Sequence, residues 1–431
     1  MTGPQRLGQK EIALFFFPLL LNVQLMSASH SVINAFLARQ HDYVTALAGF
    51  SVAMVLHLFI ASPSYQNHTV TIAMVHGRRS LRGVLLFVLL VALYVSAALA
   101  AVAFTRVGDW VLATFLGVTG KIAGEARGAL GLLVCLPFIT GSRGFFQGVV
   151  IRARRTVLVS FATGIRIVAL FGFLAVGRHW FGGARLGAFA LVACVAVETA
   201  MMGLFAWRCG IASESPAGTV EKSPLEILRF AFPLAYSSCL QQTIPLLINA
   251  VISRLPDAPQ ALAAFGVIRG FLFLLAGPMR NLQQAYLTLV RRTSDFRPLV
   301  TFGGRLGGFL ALLLVVVAFL LNRPVLGGVM GLDPQMRSYL ALPLAACALY
   351  PLLYGTSNLL RGWFTGAHRT GQLGRSTLYK SGFLLACWGL LSLFPLPVPG
   401  VVLAIGLLLA AEACEAGYLF RQRRRVLAEV A

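Results

Sequence analysis

The sequence predicts an all-α polytopic membrane protein whose twelve transmembrane helices form two pseudo-symmetric six-helix bundles. Three observations lead to this fold class. Hydrophobic residues make up 58% of the 431 positions and charged residues only 12%. Apolar runs long enough to cross a bilayer recur along the whole chain. Stretches of the first half recur in the second half at a nearly constant offset. The composition excludes a soluble enzyme.

The twelve spans follow from the length of the apolar runs, since a helix needs about 20 residues to cross a bilayer. Numbered in chain order, the predicted spans are residues 12–38, 44–75, 83–105, 126–151, 156–177, 185–207, 225–253, 261–290, 303–322, 337–363, 372–394 and 398–420. The first apolar stretch is too long for a cleavable signal peptide and lacks a small-residue exit site.

The basic residues predict the orientation. Arginine and lysine concentrate in alternate connections, for example Arg78, Arg79 and Arg82 between spans 2 and 3, whereas the other connections hold far fewer. By the positive-inside rule, both termini are predicted to lie on the cytoplasmic side of the cell membrane. This placement accounts for the net charge of +22 without nucleic acid as a partner.

One polar segment divides the chain. Residues 209–224 are rich in serine, proline and glycine, and they separate the first six spans from the last six. We predict a cytoplasmic linker there, between an N-terminal bundle of residues 1–208 and a C-terminal bundle of residues 225–431.

The two halves share a register. EIALFFFPL at 11–19 matches EILRFAFPL at 226–234, and ALAGF at 46–50 matches ALAAF at 261–265, in both cases 215 positions apart. Pro63 with Pro278 and Asn34 with Asn249 keep the same offset, so shared hydrophobicity alone does not explain the match. The two prolines are predicted to kink spans 2 and 8.

The repeat continues less regularly towards the end of each half. RGFFQG at 143–148 matches RGWFTG at 361–366 after 218 positions, whereas Arg166 meets Lys380 and Glu198 meets Glu412 after 214. Six spans per half make this a parallel repeat about an axis along the membrane normal, and substrate sites of such transporters lie near the midplane between the repeats.

Two six-helix halves, a proline in spans 2 and 8, and an arginine-glycine signature ending spans 4 and 10 together resemble the multidrug/oligosaccharidyl-lipid/polysaccharide exporter superfamily, with its MATE-like fold. The resemblance covers essentially the whole chain. Three stretches are similar to the progressive ankylosis protein family within it: GPMRNLQQAYLTLVRRT (277–293), RGWFTGAHRT (361–370) and LLLAAEACEAGYLFRQRRR (407–425).

This resemblance implies an alternating-access exporter of small organic or phosphate-bearing anions, such as pyrophosphate, nucleoside triphosphate or citrate. The chain lacks the long acidic tail of the progressive ankylosis family, so no particular substrate is carried over. Multidrug members of the superfamily use acidic residues in span 1 or 7. Here Glu11 and Glu226 stand only at the entrances of those spans, which argues against a cation-drug antiporter.

Consecutive polar residues in the spans predict a polar central cavity, because a helix facing lipid does not tolerate them. We expect spans 1, 2, 7 and 8 to wall this cavity, and the alternative is interhelical hydrogen bonding that joins each bundle. The predicted substrate-binding residues are Asn34, Tyr65, Gln66, Asn67, His68, Gln242, Asn249, Arg269, Arg280, Asn281 and Gln284.

The charged residues of the spans leave two hypotheses open. Arg166 with Glu198, and Lys380 with Glu412 or Glu415, are read as buried ion pairs, which leaves Arg269 and Arg280 to meet an anion through their guanidinium forks. Alternatively, the three glutamates couple transport to protons.

The arginine-glycine motif is read as a paired packing hinge, because both copies lie close to a cytoplasmic basic connection and glycine permits close helix approach. Its arginines, Arg143 and Arg361, reach towards water in this reading. The alternative is that the two arginines guide anions into the cavity.

Enzyme motifs are missing from the sequence: there is no P-loop, GxSxG, HExxH or paired-carboxylate spacing. Seven scattered cysteines have neither disulfide nor metal-ligand spacing. We therefore expect a secondary transporter with no cofactor and no metal, whose partners are an anionic small molecule and the lipid bilayer, and a monomer. The alternatives are a flippase for a lipid-linked saccharide and a multidrug antiporter.

Overall fold

The computed structural model describes residues 7–37, 39–115, 118, 120–210, 221–252, 255, 257–329, 332, 334–393 and 398–430. This part of the chain is helical and contains no strand, which confirms the all-α prediction. By length and composition, seven of its helices can each cross a membrane, or nine spans are possible if each of two bent helix pairs counts as one.

The α-helices, in chain order, are α1 (Gln9–Leu37), α2 (Tyr43–Ile60), α3 (Asn67–Met74), α4 (Arg78–Phe104), α5 (Arg106–Trp110), α6 (Gly120–Leu133), α7 (Leu136–Arg152), α8 (Thr156–Gly177), α9 (Gly183–Arg208), α10 (Pro224–Ile252), α11 (Ala258–Leu275), α12 (Asn281–Leu289), α13 (Thr293–Phe319), α14 (Pro334–Ala346), α15 (Leu349–Gly366), α16 (Gly371–Leu393) and α17 (Gly400–Val430). Each predicted span overlaps one of these helices or one broken pair of them.

The two prolines predicted to kink spans 2 and 8 lie at breaks in the helix. Pro63 is in a 3-10 turn, Ser62–Gln66, between α2 and α3, and the two sides of this break are bent by 59°. Pro278 is in the equivalent turn, Gly277–Arg280, between α11 and α12. Proline cannot donate the i→i−4 hydrogen bond, so the chain changes there to the tighter 3-10 geometry.

Span 4 is also broken, which the sequence reading missed. It was predicted as one helix from residue 126, but α6 begins at Gly120 and a bend of 45° separates α6 from α7. Pro137 lies in the first turn of α7, where a proline is tolerated because its missing N–H would have no helical partner.

Contacts divide the chain into two compact units, Phe17–Cys239 and Leu240–Ala431 with Met1–Phe16. Each has its own hydrophobic core. Fully buried side chains of the first core include Leu99, Leu130 and Leu170, and those of the second include Ile248, Phe265 and Leu344. The predicted bundles 1–208 and 225–431 stay a prediction, and residues 211–220 of the predicted linker lie outside the described residues.

Glycines let two helix pairs approach closely inside the units. A Cβ atom placed on Gly148 of α7 would lie 2.5 Å from Thr71 Cβ of α3, and one on Gly362 of α15 would lie 2.7 Å from Tyr286 Cβ of α12. Both glycines belong to the arginine-glycine motif. Lipid tails give no hydrophobic drive for helix association, so such close packing supplies much of the attraction between helices.

We expect Gly362→Ala to destabilise the protein by about 1–3 kcal/mol, because the added methyl overpacks the contact with Tyr286. Thermal unfolding of the detergent-solubilised protein measures the effect. Gly382→Ala in α16 is the matched control: nothing lies within 4 Å of the position that its Cβ would take, so the better helix propensity of alanine should leave stability equal or slightly higher. An equal loss of thermal stability in Gly362→Ala and Gly382→Ala would contradict the close-packing interpretation.

Asp257 lies just before α11, between two predicted spans, and joins three helices of the second unit. Its Oδ2 atom accepts a hydrogen bond from the Tyr339 hydroxyl of α14 and another, at 2.8 Å, from the Gly400 backbone N–H at the start of α17. Burial by itself raises the pKa of this carboxyl, but the hydrogen bonds from Tyr339, from Gly400 and from its own backbone together outweigh burial and lower the pKa below the ordinary 3.8.

Asp257→Asn should lower the free energy of unfolding by about 1 kcal/mol at neutral pH, since the amide oxygen still accepts hydrogen bonds but loses the charge that strengthens them, and solvent screens that charge in part. The folded pKa is depressed, so this stability is fully present above the unfolded pKa and is lost as the pH falls through the folded pKa. The melting-temperature difference between wild type and variant should therefore be constant above about pH 5 and should narrow below about pH 4. A difference that does not change with pH would show that charge is not involved.

Candidate functional site

A buried carboxylate stands between two cations in the first unit. Glu198 of α9 is only 2% exposed. Its oxygens lie 3.2 and 3.3 Å from Arg143 Nη1 of α7, and 3.2 Å from Arg166 Nη1 of α8. The Thr163 hydroxyl lies 2.7 Å from Glu198 Oε1 and 2.6 Å from Asn22 Oδ1 of α1. We call these residues the Glu198 cluster; it joins four helices.

The second unit contains a corresponding cluster with an additional carboxylate. Glu412 and Glu415 lie one turn apart on α17. Lys380 of α16 pairs with Glu412, and its Nζ also lies 3.0 Å from Glu415 Oε2; Arg361 of α15 pairs with Glu415. The amide of Gln241, on α10, lies 2.9 and 3.1 Å from the Arg361 Nη atoms when its oxygen faces them. We call these residues the Glu412/Glu415 cluster.

The members of the two clusters correspond to one another through the repeat. The corresponding pairs are Met26 with Gln241, Arg143 with Arg361, Arg166 with Lys380 and Glu198 with Glu412. Met26 Sδ lies 3.7 Å from Arg143 Nη1, just as Gln241 lies beside Arg361. Glu415 has no acidic counterpart, because Met201 stands 214 positions before it. Two cations therefore face one carboxylate in the first unit and two carboxylates in the second.

The structure gives the arginines of the arginine-glycine motif a contact that the sequence reading missed. Arg143 and Arg361 were expected to reach towards water at the end of their spans, but each lies on a buried glutamate of its own unit. A guanidinium compensates the charge of a carboxylate that is buried away from water, through charge-assisted hydrogen bonds. The recurrence of the same charged residue types in both halves was the signal that could have revealed this arrangement.

The predicted substrate-binding residues of the first unit occupy different environments. Asn34 is exposed on α1, and Tyr65, Gln66 and His68 are half-buried near the break between α2 and α3. The Tyr65 hydroxyl donates to the Leu58 carbonyl at 2.8 Å. Asn67 is 1% exposed and lies against the glycine face of α7, and its amide has no hydrogen-bond partner within the described residues.

The predicted substrate-binding residues of the second unit lie on α10, α11 and α12 or directly before α12. Gln242 and Asn249 are half-buried on α10, and Asn281 and Gln284 are buried in the first turn of α12, where Gln284 Nε2 lies 3.5 Å from Asn281 Oδ1. Asn281 is the first residue of α12, as Asn67 is of α3, and its Nδ2 also lacks a partner among the described residues. Both breaks are thus followed by a buried asparagine with unused hydrogen-bonding capacity.

The remaining two predicted ligands are exposed cations. Arg280 immediately precedes α12, and Arg269 lies on α11 with its guanidinium 5.9 Å from the centre of the Phe265 ring. Neither arginine forms a salt bridge to a carboxylate in the part of the chain that the structure describes. No group of three histidine, cysteine, aspartate or glutamate side chains in that same part could hold a metal ion.

Comparisons with known proteins identify the fold. No family model matches the chain. A crystal structure of a MATE mutant superposes with a TM-score of 0.75 at 14% identity, over 97% of this chain and 96% of that one. The Vibrio cholerae MATE transporter in its bent form gives 0.72 at 14% identity, over 98% and 97%. A MOP superfamily transporter from Pyrococcus furiosus gives 0.67 at 14%, over 97% and 96%.

The chain therefore has the fold of MATE transporters, which confirms the predicted class of twelve transmembrane helices in two six-helix bundles. These identities establish the fold alone. The narrower resemblance to the progressive ankylosis family stays a prediction.

The two clusters should respond differently to loss of one carboxylate. Glu198→Gln leaves Arg143 and Arg166 buried without a counter-charge, so we expect a destabilisation of about 3–5 kcal/mol. Glu412→Gln leaves Glu415 between Lys380 and Arg361, so this variant should be destabilised clearly less than Glu198→Gln. Thermal unfolding of the two purified variants measures the contrast. Equal losses would contradict the assignment of Glu198 as the sole carboxylate of its cluster.

Proposed function

We propose that the chain is a secondary transporter that moves small organic or phosphate-bearing anions, such as pyrophosphate, nucleoside triphosphate or citrate, by alternating access of its two helical units. The observation that carries this proposal is Arg280. It is an exposed guanidinium within a membrane-spanning segment, with no carboxylate partner among the described residues. A cation at such depth is costly unless an anion or water meets it.

The surroundings of Arg280 favour an anionic ligand. Arg280 stands at the N-terminus of α12, where the helix dipole is positive. The next residue, Asn281, carries an amide nitrogen without a partner among the described residues. Discontinuous transmembrane helices of transporters commonly direct such N-termini towards anionic substrate groups. The repeat counterpart of Arg280 is the neutral Tyr65, 215 positions earlier, so this feature belongs to the second unit only.

The buried glutamates support an anion rather than a cationic drug. Glu198, Glu412 and Glu415 each bind at least one cation of their own unit, so none of them offers a bare carboxylate to a cationic substrate. The Pyrococcus furiosus transporter named above has been described as having a binding pocket of reverse polarity that suggests a different function. This fold thus accommodates pockets of different charge, and we propose a positive one here.

The clusters themselves have a structural role in this proposal. Arg143, Arg166, Arg361 and Lys380 are engaged by glutamates, which leaves Arg269 and Arg280 as the cations available to substrate. We further propose a monomer in the cell membrane with both termini cytoplasmic, in agreement with the distribution of basic residues in the sequence.

Arg280→Gln should reduce anion uptake about tenfold or more, since a hydrogen bond to a charged group contributes about 1.5–3 kcal/mol. The measurement is uptake of radiolabelled citrate, pyrophosphate and ATP by vesicles reconstituted with the purified protein. The control is Arg305→Gln, which removes an exposed arginine from α13 of the same unit and should leave uptake unchanged.

Two results would overturn the proposal. Unchanged uptake by Arg280→Gln would remove this residue from the site. Failure of all three anions to enter, together with flipping of a fluorescent lipid-linked saccharide in the same vesicles, would identify the flippase alternative, whose pyrophosphate headgroup could use the same arginine. Uptake of a cationic dye alone would identify the multidrug alternative.

A further inference from the structure

A basic cavity lies at the start of α4, within the first unit, and none of its lining residues belongs to the two glutamate clusters or to the predicted substrate-binding residues. Its volume is about 430 Å³, and its lining includes Arg78, Arg79 and Arg82 of α4 together with Glu221 and Pro224. All three arginines are exposed, and none forms a salt bridge to a carboxylate in the described part of the chain. The cavity thus carries a concentrated positive charge.

The chain itself already places an anion at this position. The carboxylate of Glu221 accepts a hydrogen bond from the Ser80 backbone N–H at 2.8 Å. First-turn N–H groups and the helix dipole make a helix N-terminus favourable for negative charge. Three arginines line the cavity together with this one carboxylate, so the cavity retains a positive excess that phosphate oxygens can satisfy through guanidinium hydrogen bonds.

An apolar stripe continues from the cavity along the same face of α4. Leu86 lines the cavity one turn after Arg82, and Leu90 and Leu93 follow at helical spacing. These three leucines are 51%, 56% and 57% exposed. From Arg82 to Leu93 the stripe covers about 16 Å, roughly the apolar depth of one leaflet. A charged end followed by an apolar face fits an amphiphile better than a free phosphate ion.

The repeat counterpart lacks this combination. The positions equivalent to Arg82, Leu86 and Leu90 are Arg297, Thr301 and Arg305 of α13, so the stripe is polar there. The start of α13 is capped from within its own first turn, where Asp295 Oδ2 accepts hydrogen bonds from the Arg291 and Arg292 backbone N–H groups. The fold alone therefore does not require an apolar stripe below the arginines of α4.

We propose that the cavity at the start of α4 binds the phosphate headgroup of an anionic phospholipid, with one acyl chain lying along Leu86, Leu90 and Leu93. The lipid phosphate replaces or joins Glu221 at the helix N-terminus. This inference is independent of the transported substrate.

Native mass spectrometry of the detergent-purified protein tests the proposal, with phosphatidylglycerol as the probe, phosphatidylcholine as the zwitterionic comparison, and glycerol 3-phosphate as the headgroup without chains. Wild type should retain phosphatidylglycerol in clear preference to phosphatidylcholine. The triple variant R78Q/R79Q/R82Q should lose that preference by about tenfold or more, because each arginine near an anionic lipid contributes on the order of fivefold. Its matched control, R291Q/R292Q/R297Q, should keep the preference.

A second variant keeps the proposal testable if the triple variant does not fold. Glu221→Gln removes the competing carboxylate charge and should strengthen phosphatidylglycerol retention. Equal retention of both lipids by wild type, an equal loss in the control variant, or unchanged retention by Glu221→Gln would each overturn the proposal. Displacement of the lipid by glycerol 3-phosphate at equal concentration would overturn the lipid assignment and identify a soluble phosphate ester as the ligand.

Discussion

The compensation of a buried glutamate by cations from neighbouring helices is the constraint on which the rest of this structure depends. In the first unit Glu198 of α9 binds cations from α7 and α8, and in the second unit the glutamates of α17 bind cations from α15 and α16. Inside a bilayer these charges are tolerated only together, because removal of one partner leaves the other uncompensated. The pairs therefore fix which faces of these helices meet, in an environment where the hydrophobic effect does not select them.

The arginine-glycine motif follows from this constraint. On α7, Gly144 and Gly148 let α3 approach closely, while the adjacent Arg143 turns to Glu198 on another side of the helix. On α15, Gly362 lets α12 approach closely, while the adjacent Arg361 turns to Glu415. Arginine and glycine are neighbours in the sequence because one helix must meet a bent span on one face and a buried carboxylate on the next. A larger residue at the glycine position would move the helix, and with it the guanidinium.

The sequence predicted the spans, the repeat and the kinks, because each depends on a local pattern: apolar length, a fixed offset, or a proline. It also associated Arg166 with Glu198 and Lys380 with the glutamates of the last span. It did not place Arg143 and Arg361 on those glutamates, because spacing along one helix does not show which neighbouring helix a side chain meets. The bend at Pro137 was missed for a related reason: hydropathy continues through the break, and only the proline marks it.

Features shared by the two halves and features found in one half only have different physical meanings. The paired glutamates, the motif glycines and the buried asparagines after each break recur, and they stabilise contacts that both units need. Three departures from the repeat occur in one half only: Arg280 where the first half has Tyr65, Glu415 where it has Met201, and the leucine stripe of α4 where α13 has Thr301 and Arg305. An exposed cation in a span is costly unless an anion or water meets it. Glu415, in contrast, is compensated by Arg361 and Lys380, and the leucines of α4 face the lipid without cost. A duplicated fold retains such departures where the two halves do different work, and for this reason substrate and lipid are both proposed at positions where the symmetry fails.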